Sequence, residues 1–201
     1  MQTMDTRQFT RKKLKQQRAH ISLNDQKKAS AIINEQLSHH PVFLRSQTIA
    51  GYKAIQHEID PTALIHKAWQ DKKRCYLPVL QGQQLIFCAY QANTLLKKNQ
   101  FNILEPHLSL DNCIATHDLD LVLVPLIGFT EKGQRLGMGA GFYDRTFAFL
   151  LNSPRPARPF LLGLAYEWQK LATFTEKNWD VPLNAVITEK QIYLFTNDSD
   201  H

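Results

Sequence analysis

Five of the chain's eight glycines, Gly128, Gly133, Gly137, Gly139 and Gly141, fall between Val124 and Arg145. Closely spaced glycines let backbone N–H groups turn toward a ligand and approach it closely. Arg135 and Arg145 flank them and offer planar guanidinium groups suited to phosphate oxygens. Asp144 beside them is a candidate ligand for Mg²⁺, which commonly takes one or two carboxylates together with phosphate oxygens and water. The chemistry these residues suit is phosphate binding and phosphoryl transfer, which need positioning and charge neutralisation more than a protein nucleophile. The pattern is neither a G-x-x-x-x-G-K-[ST] loop nor a dinucleotide fingerprint, which would need glycine where Phe142 stands. No Ser-His-Asp set or activated cysteine competes with it, and no histidines have H-E-x-x-H spacing.

The elements around this segment predict where it sits. Residues 119–124 are nearly all apolar, as in a central strand buried on both faces. A loop over 125–141 and a helix over 142–151 follow, which places the glycines at the carboxyl end of a strand and the start of a helix. That is where open α/β sheets bind ligands and where a helix dipole favours anions. Upstream, 5–20 reads as a solvated helix. Ser22 and Asp25 then open a second helix whose Ala29, Ile32, Ile33 and Leu37 face a core, with Pro41 as its stop. Strands are expected at 48–52, 74–77, 85–90, 160–165, 185–188 and 191–195. A helix sits between the first two, capped by Asp60 with Pro61 at its first position and with Leu64, Ile65, Ala68 and Trp69 turned inward. The 81–82 turn pairs the second and third strands, and three prolines in 153–159 form a rigid connector. Strand–helix–strand order predicts one α/β domain over 1–201, with a mostly parallel central sheet flanked by helices in three layers. The N-terminal helices occupy 1–40, and 119–151 carries the strand, glycine-rich loop and helix of the phosphate site.

Composition narrows the function further. With 43% hydrophobic and 21% charged residues, the 201-residue chain has an ordinary globular mixture, which excludes wholesale disorder. The net charge of +6 resides in the first 30 residues, which hold eight Lys/Arg against Asp5 and Asp25; the other 171 residues are neutral. A basic helix of this kind also suits nucleic acid, with salt-sensitive binding. Only one aromatic residue, Phe9, accompanies it, so no nucleic-acid partner is expected. A phosphate site serving an isomerase is another reading, and that would need a general base but no ATP. Apolar runs are too short to span a membrane, and none follows the basic N-terminus as a signal peptide requires. Cys75, Cys88 and Cys113 are three in number and widely spaced, a poor disulfide framework. They are expected to be buried bystanders in a reducing compartment, hence the cytoplasm.

The stretch Val-Pro-Leu-Ile-Gly-Phe-Thr-x-x-Gly-x-Arg-Leu-Gly-Met-Gly-Ala-Gly-Phe-Tyr-Asp-Arg closely resembles the signature of the 5-formyltetrahydrofolate cyclo-ligase family. Residues 52–60 (ending Gln-His-Glu-Ile-Asp), 75–79, 101–106, 162–169 and 179–183 resemble further blocks of that family, so the likeness runs from about Arg7 to the end. It implies ATP-dependent cyclisation of 5-formyltetrahydrofolate to 5,10-methenyltetrahydrofolate, with ATP, Mg²⁺ and the folate bound by a monomer. Carried over by position, ATP falls on Arg7, Arg11, Arg135, Gly137, Met138, Gly139, Ala140, Gly141, Phe142 and Tyr143. The folate falls on Lys53, Glu58, Phe101, Met138 and Phe142, the metal on Asp144 and Asp180, and catalytic roles on Arg135, Tyr143 and Arg145. Gln169 matches a Gln of the family's closing block. A register of Arg11 with Lys15 competes with Arg7 and Arg11 for the family's N-terminal basic pair. Ala140 stands where the family often has glycine, and Met138 where it has an aromatic or basic residue.

Overall fold

The computed structural model describes residues 6–107, 109–152 and 158–195. It opens on helix α1, Thr6–Ala19, whose buried residues are Arg7, Leu14 and Arg18. The helix expected to be solvated therefore has an inward stripe. Hydrophobic periodicity misses it because two of its three members are arginines. Ser22 caps α2, Leu23–Ser38, accepting the Asp25 N–H at 3.0 Å and donating to the Asp25 carboxylate at 2.7 Å. Ala29, Ile33 and Leu37 are buried as expected, but Ile32 is 44% exposed. It lies about 100° round the helix from Ile33, and Ser30 and Asn34 complete the buried face instead. Pro41 does follow the end of α2, yet it also starts a short helix, α3, Pro41–Arg45, capped by the His40 side chain.

Strand β1, Thr48–Ala50, leads through α4, Thr62–Gln70, into β2, Arg74–Gln81, which pairs parallel to β1. The N-cap of α4 is Pro61 rather than Asp60; the Asp60 carboxylate, one residue earlier, accepts the Thr62 N–H at 2.9 Å. Gly82, at φ +59°, turns β2 into antiparallel β3, Gln84–Ala89. A hairpin of β4, Leu96–Lys98, and β5, Leu104–Pro106, follows. Then come β6, Cys113–Ile114, and β7, Leu121–Pro125. The expected 125–141 loop contains a small hairpin of β8, Gly128–Phe129, and β9, Arg135–Leu136. Helix α5 spans only Phe142–Thr146, and the chain tightens into a 3₁₀ turn over Ala148–Asn152, with Leu150 N–H bonded to Phe147 O at 2.9 Å. The chain closes with β10, Phe160–Leu164, β11, Ala185–Ile187, and β12, Ile192–Leu194. Of the expected proline connector, 153–157 lies outside the described residues.

The main sheet runs β12-β11-β10-β7-β1-β2-β3-β6, with β11, β10, β7, β1 and β2 mutually parallel, β12 and β3 antiparallel to them on either side, and β6 antiparallel to β3. Central β7 alternates between two cores. Leu121 and Leu123 pack with Ile33, Leu37 and Leu64, while Val122 and Val124 pack with Phe129, Phe147 and Leu150. That alternation makes three layers. After β1 the chain moves toward β2, and after β7 it moves the other way, toward β10. The sheet therefore reverses direction between β1 and β7, and their carboxyl ends open a crevice there.

One expectation is overturned. Cys88 and Cys113 stand opposite each other on β3 and β6 and are joined by a disulfide; only Cys75 is free, and it is buried. Antiparallel register brings the two together across 25 positions of sequence. Spacing alone does not reveal such a pairing, and the cysteine argument for a reducing compartment falls with it.

Candidate nucleotide and folate site

A cavity of about 650 Å³ opens at this reversal point. Tyr52 and Lys53 just past β1 and Pro125 at the end of β7 reach it, and Pro78, Leu80 and Leu85 contribute apolar wall. Arg7 and Arg11 enter from α1, Arg135 from β9, and Gly137 through Asp144 from the glycine loop and α5. Ile55, Gln56 and Glu58 come from the segment after β1, and Asn99 and Phe101 from the β4–β5 hairpin. Lys177, Trp179 and Asp180 complete the lining. Of the residues that the family resemblance singles out for the site, all line the cavity except Arg145, Gln169 and the alternative Lys15.

The glycine loop is shaped by its backbone. Gly139 sits at φ +113°, where a side chain is strained, and Gly141 at φ +70° is the N-cap of α5. A Cβ on Gly141 would stand 2.8 Å from Arg145 Nη1. Because α5 is only five residues long, its dipole is a weak anion trap. Positive charge at the cavity comes chiefly from Arg7, Arg11 and Arg135. Arg11 Nε donates to Gly137 O at 3.0 Å, and Lys15 Nζ to Met138 O at 3.3 Å. Both residues of the competing registers thus touch the loop, but only Arg7 and Arg11 line the cavity. Lys15 has its pKa lowered by burial and by the charges of Arg18 and Arg11.

Two carboxylates face these arginines. Arg7 grips both oxygens of Asp180, and Arg135 Nη2 donates to Asp144 Oδ1 at 2.7 Å. The same Asp144 oxygen accepts the N–H of Val181, the residue after Asp180, at 3.3 Å, which ties the two carboxylates into one wall. Among the described residues no group of three or more His, Cys, Asp and Glu gathers as a metal cluster. A pair of hard carboxylate donors is nevertheless the set that Mg²⁺ uses when phosphate oxygens and water supply its other ligands.

Glu58 is buried, and burial raises its pKa, with the Arg18 charge and the Ile55 N–H pulling the other way. The carboxylate accepts Arg18 Nη1 at 3.3 Å and Ile55 N–H at 3.2 Å. Phe101 rides on a turn organised by Asn99, whose Oδ1 accepts the N–H groups of Phe101 and Ile103 at 2.9 and 3.1 Å. Buried Glu105 fastens that hairpin to β2 by accepting from Leu80 N–H at 3.2 Å. The Phe101 ring meets Phe142 edge to face at 5.7 Å and is 48% exposed, which leaves a face for a flat ring. The Tyr143 hydroxyl, a phenol and so a proton donor at neutral pH, has its pKa raised further by burial, against the pull of Arg135. Arg135 lies over the Tyr143 ring at 5.5 Å.

Two expected residues do other work. Arg145 is exposed and donates to Gln83 O at 2.6 Å and Ala140 O at 2.7 Å, anchoring the loop to the β2–β3 turn from outside the cavity. Gln169 is buried, with Nε2 bonded to Leu126 O and Ile127 O at 3.2 and 2.8 Å and Oε1 accepting Tyr166 N–H at 2.8 Å, so it braces the exit of β7. Sequence reasoning missed Arg18, Asn99, Lys177 and Trp179. For Arg18 a signal existed: Arg7, Arg11 and Arg18 recur at helical spacing on one face.

Fold and site together define an α/β protein with a glycine-rich loop over a crevice at the reversal point of its sheet. The model described as the 5-formyltetrahydrofolate cyclo-ligase family matches residues 3–189, and the chain belongs to that family. It is 36% identical over 181 residues to the 5-formyltetrahydrofolate cyclo-ligase of Haemophilus influenzae, covering 88% of this chain and 94% of that protein. The Escherichia coli enzyme of the same name is 31% identical over 183 residues, covering 90% and 98%. The structure superposes on 5,10-methenyltetrahydrofolate synthetase of Aquifex aeolicus with a TM-score of 0.81 at 25% identity, across 97% of this chain and 99% of that one. Among the described residues no helix is long and apolar enough to cross a membrane.

Proposed function

We infer that the protein is a 5-formyltetrahydrofolate cyclo-ligase that uses ATP to close 5-formyltetrahydrofolate into 5,10-methenyltetrahydrofolate, releasing ADP and phosphate. One observation carries the reading at residue level. Arg7, Arg11 and Arg135 share a single cavity with Glu58 and Phe101, and the glycine loop lies along it. A triphosphate and a flat, hydrogen-bonding ring system have complementary walls there.

The formyl oxygen attacks the terminal phosphorus of ATP, and ADP leaves. A neighbouring folate nitrogen then attacks the activated formyl carbon and gives up its proton to solvent, and the ring closes as the transferred oxygen departs with phosphate. Arg7, Arg11 and Arg135 neutralise charge on the phosphoryl oxygens as it is redistributed. Loop N–H groups from Gly137 to Gly141 orient the phosphates. Tyr143, a phenol that is protonated at neutral pH and whose pKa burial raises further, donates a hydrogen bond where negative charge develops. Glu58 accepts from the folate ring's N–H groups while Phe101 packs on its face, with Met138 and Phe142 closing the contact and Lys53 at the rim. Mg²⁺ held by Asp144 and Asp180 would supply further charge neutralisation at the phosphates. Arg145 is a loop anchor in this reading.

The reading takes 1–201 as one catalytic domain, since α1, the 119–151 segment and Asp180 all contribute to the cavity. One chain supplies every side chain this reading uses, so the activity needs no group from a second copy, and a monomer is the assembly proposed. The need for ATP supports a cytoplasmic location, replacing the cysteine argument. Burial of Arg7 and Arg18, with Arg11 and Lys15 on loop carbonyls, supports a helix turned toward a small ligand rather than nucleic acid. The test is ADP formation by the purified protein with ATP and Mg²⁺, with and without 5-formyltetrahydrofolate. ADP release that requires the folate is expected; release indifferent to it would overturn the reading.

A further inference from the structure

Arg18 is 2% exposed, which for a guanidinium demands a reason. Its Nη1 lies 3.3 Å from Glu58 Oε1 and 3.3 Å from Leu126 O, just past β7, and its Nη2 lies 3.8 Å from Met138 Sδ. Three different parts of the site thus meet on one side chain. Arg11 and Lys15, on the same helix, bond the carbonyls of Gly137 and Met138, so this face of α1 grips the glycine loop. Of the three, Arg18 is the one that reaches Glu58. The Glu58 main chain is separately fixed, its C=O accepting Gln26 Nε2 at 2.7 Å and its N–H bonded to Ile55 O at 3.0 Å. Between them Gln56 and His57 adopt left-handed φ of 47° and 61°, a turn that holds Glu58 in place by constraint. The carboxylate's direction then depends on two donors, Arg18 and the Ile55 N–H.

Resting on the reading of Glu58 above, we infer that Arg18 is a positioning residue that aims the folate-binding carboxylate and locks it to the nucleotide loop through Met138. Because one side chain carries both contacts, α1 joins the two ligand subsites mechanically. The charged and titratable groups around Glu58 are Arg18 from α1, Tyr52 after β1, Tyr143 from α5, Tyr166 after β10, and the chain neighbours His57 and Asp60, with Lys53 on the same cavity. The three tyrosines stay neutral near neutral pH, their pKa values raised by burial first. Arg18 is the cation bonded to Glu58 and the charge that draws its pKa down against burial. Removing it lets Glu58 protonate at higher pH, so folate binding by the carboxylate is lost earlier as pH falls.

The test compares Arg18→Met, Arg18→Lys and Glu58→Gln, with circular dichroism to confirm folding and with kcat/KM for each substrate measured against pH. In Arg18→Met the acid limb for the folate moves up by about one pH unit or more. Its folate KM at neutral pH rises on the order of tenfold, since a hydrogen bond to a charged group is lost. Arg18→Lys keeps the charge but cannot bridge Glu58, Leu126 and Met138 together, so its acid limb stays near that of the unaltered enzyme while its folate KM rises. If Arg18→Met does not fold, Arg18→Lys decides, and an unaltered folate KM there overturns the proposal. An unmoved acid limb and folate KM in Arg18→Met overturn it as well. Glu58→Gln separates the two claims. An unchanged folate KM in that variant removes Glu58 from the substrate site and this proposal with it. A raised KM there, with Arg18→Met like the unaltered enzyme, overturns the Arg18 proposal alone.

Discussion

Arg7, in the first turn of α1, grips both carboxylate oxygens of Asp180 across 173 positions of sequence, with Nη2 3.2 Å from Oδ1. Asp180 is followed by Val181, whose N–H bonds Asp144, and Asp144 in turn holds Arg135. The basic N-terminus and the glycine loop are thereby connected through two carboxylates around one cavity. On the function proposed above, a phosphate group would compete with Asp180 and Asp144 for these arginines, and a divalent cation would compete with the arginines for the carboxylates. Nucleotide and metal would then exchange partners already in position, a smaller rearrangement than ordering long, free side chains.

The Arg7–Asp180 pair is nearly buried, with side-chain exposures of 6% and 9%. Breaking a buried pair from one side leaves the other charge uncompensated and costs about 3–5 kcal/mol. Arg7→Met should lower unfolding stability by that order in urea titrations and raise the KM for ATP severalfold more than that for the folate. Unchanged stability together with an unchanged ATP KM would remove Arg7 from both roles.

Asp144→Asn keeps the size of the side chain and an oxygen for the Val181 N–H while removing the charge. Turnover should disappear, circular dichroism should stay unaltered, and excess Mg²⁺ should not restore activity. Full activity in this variant would take Asp144 out of the metal site.

Gly139 has φ +113°, a conformation that a side chain occupies only under strain of about 1–3 kcal/mol. Its absent Cβ meets only Arg11 atoms near van der Waals distance, 3.9 Å and beyond, so space is not the issue. Gly139→Ala should weaken ATP binding about tenfold, as titration calorimetry would show, because the loop relaxes out of shape. Equal affinity would mean that the loop's shape is not what binds the nucleotide.

The Cys88–Cys113 bond fastens the two-residue strand β6 to β3 at the sheet edge, closing a loop of 25 positions. Loop-closure entropy assigns such a cross-link about 3 kcal/mol of stability. Reductant, or Cys113→Ser, should lower the unfolding midpoint correspondingly, and alkylation under denaturing, non-reducing conditions should label Cys75 alone. Labelling of all three cysteines would refute the bond.

What the sequence disclosed depended on how local each feature is. The glycine-rich cavity wall is contiguous from Gly137 to Asp144, so residue types and spacing single it out, along with the buried strand before it. The parallel order around β1, α4 and β2 followed from hydrophobic period and the Asp60-Pro61 start signal. The β4–β5 hairpin did not, because Leu96, Lys97 and Lys98 form too short and polar a strand to show a period. Arg18 escaped notice because a buried arginine reads as solvated until its acceptors, Glu58 and Leu126 O, are seen to converge on it. Arg145, expected to be catalytic, shows the converse by lying outside the cavity lining. Adjacency in sequence to Asp144 does not determine which side of α5 it occupies. The disulfide lay beyond reach because it depends on the register of β6 against β3.

Cyclisation itself is read out by near-ultraviolet absorbance of the purified protein mixed with 5-formyltetrahydrofolate, ATP and Mg²⁺. Absorbance of the methenyl product should grow with time, require all three additions, and be lost in Asp144→Asn. No such absorbance across pH and Mg²⁺ concentration, from protein that is folded and binds ATP, would contradict the account.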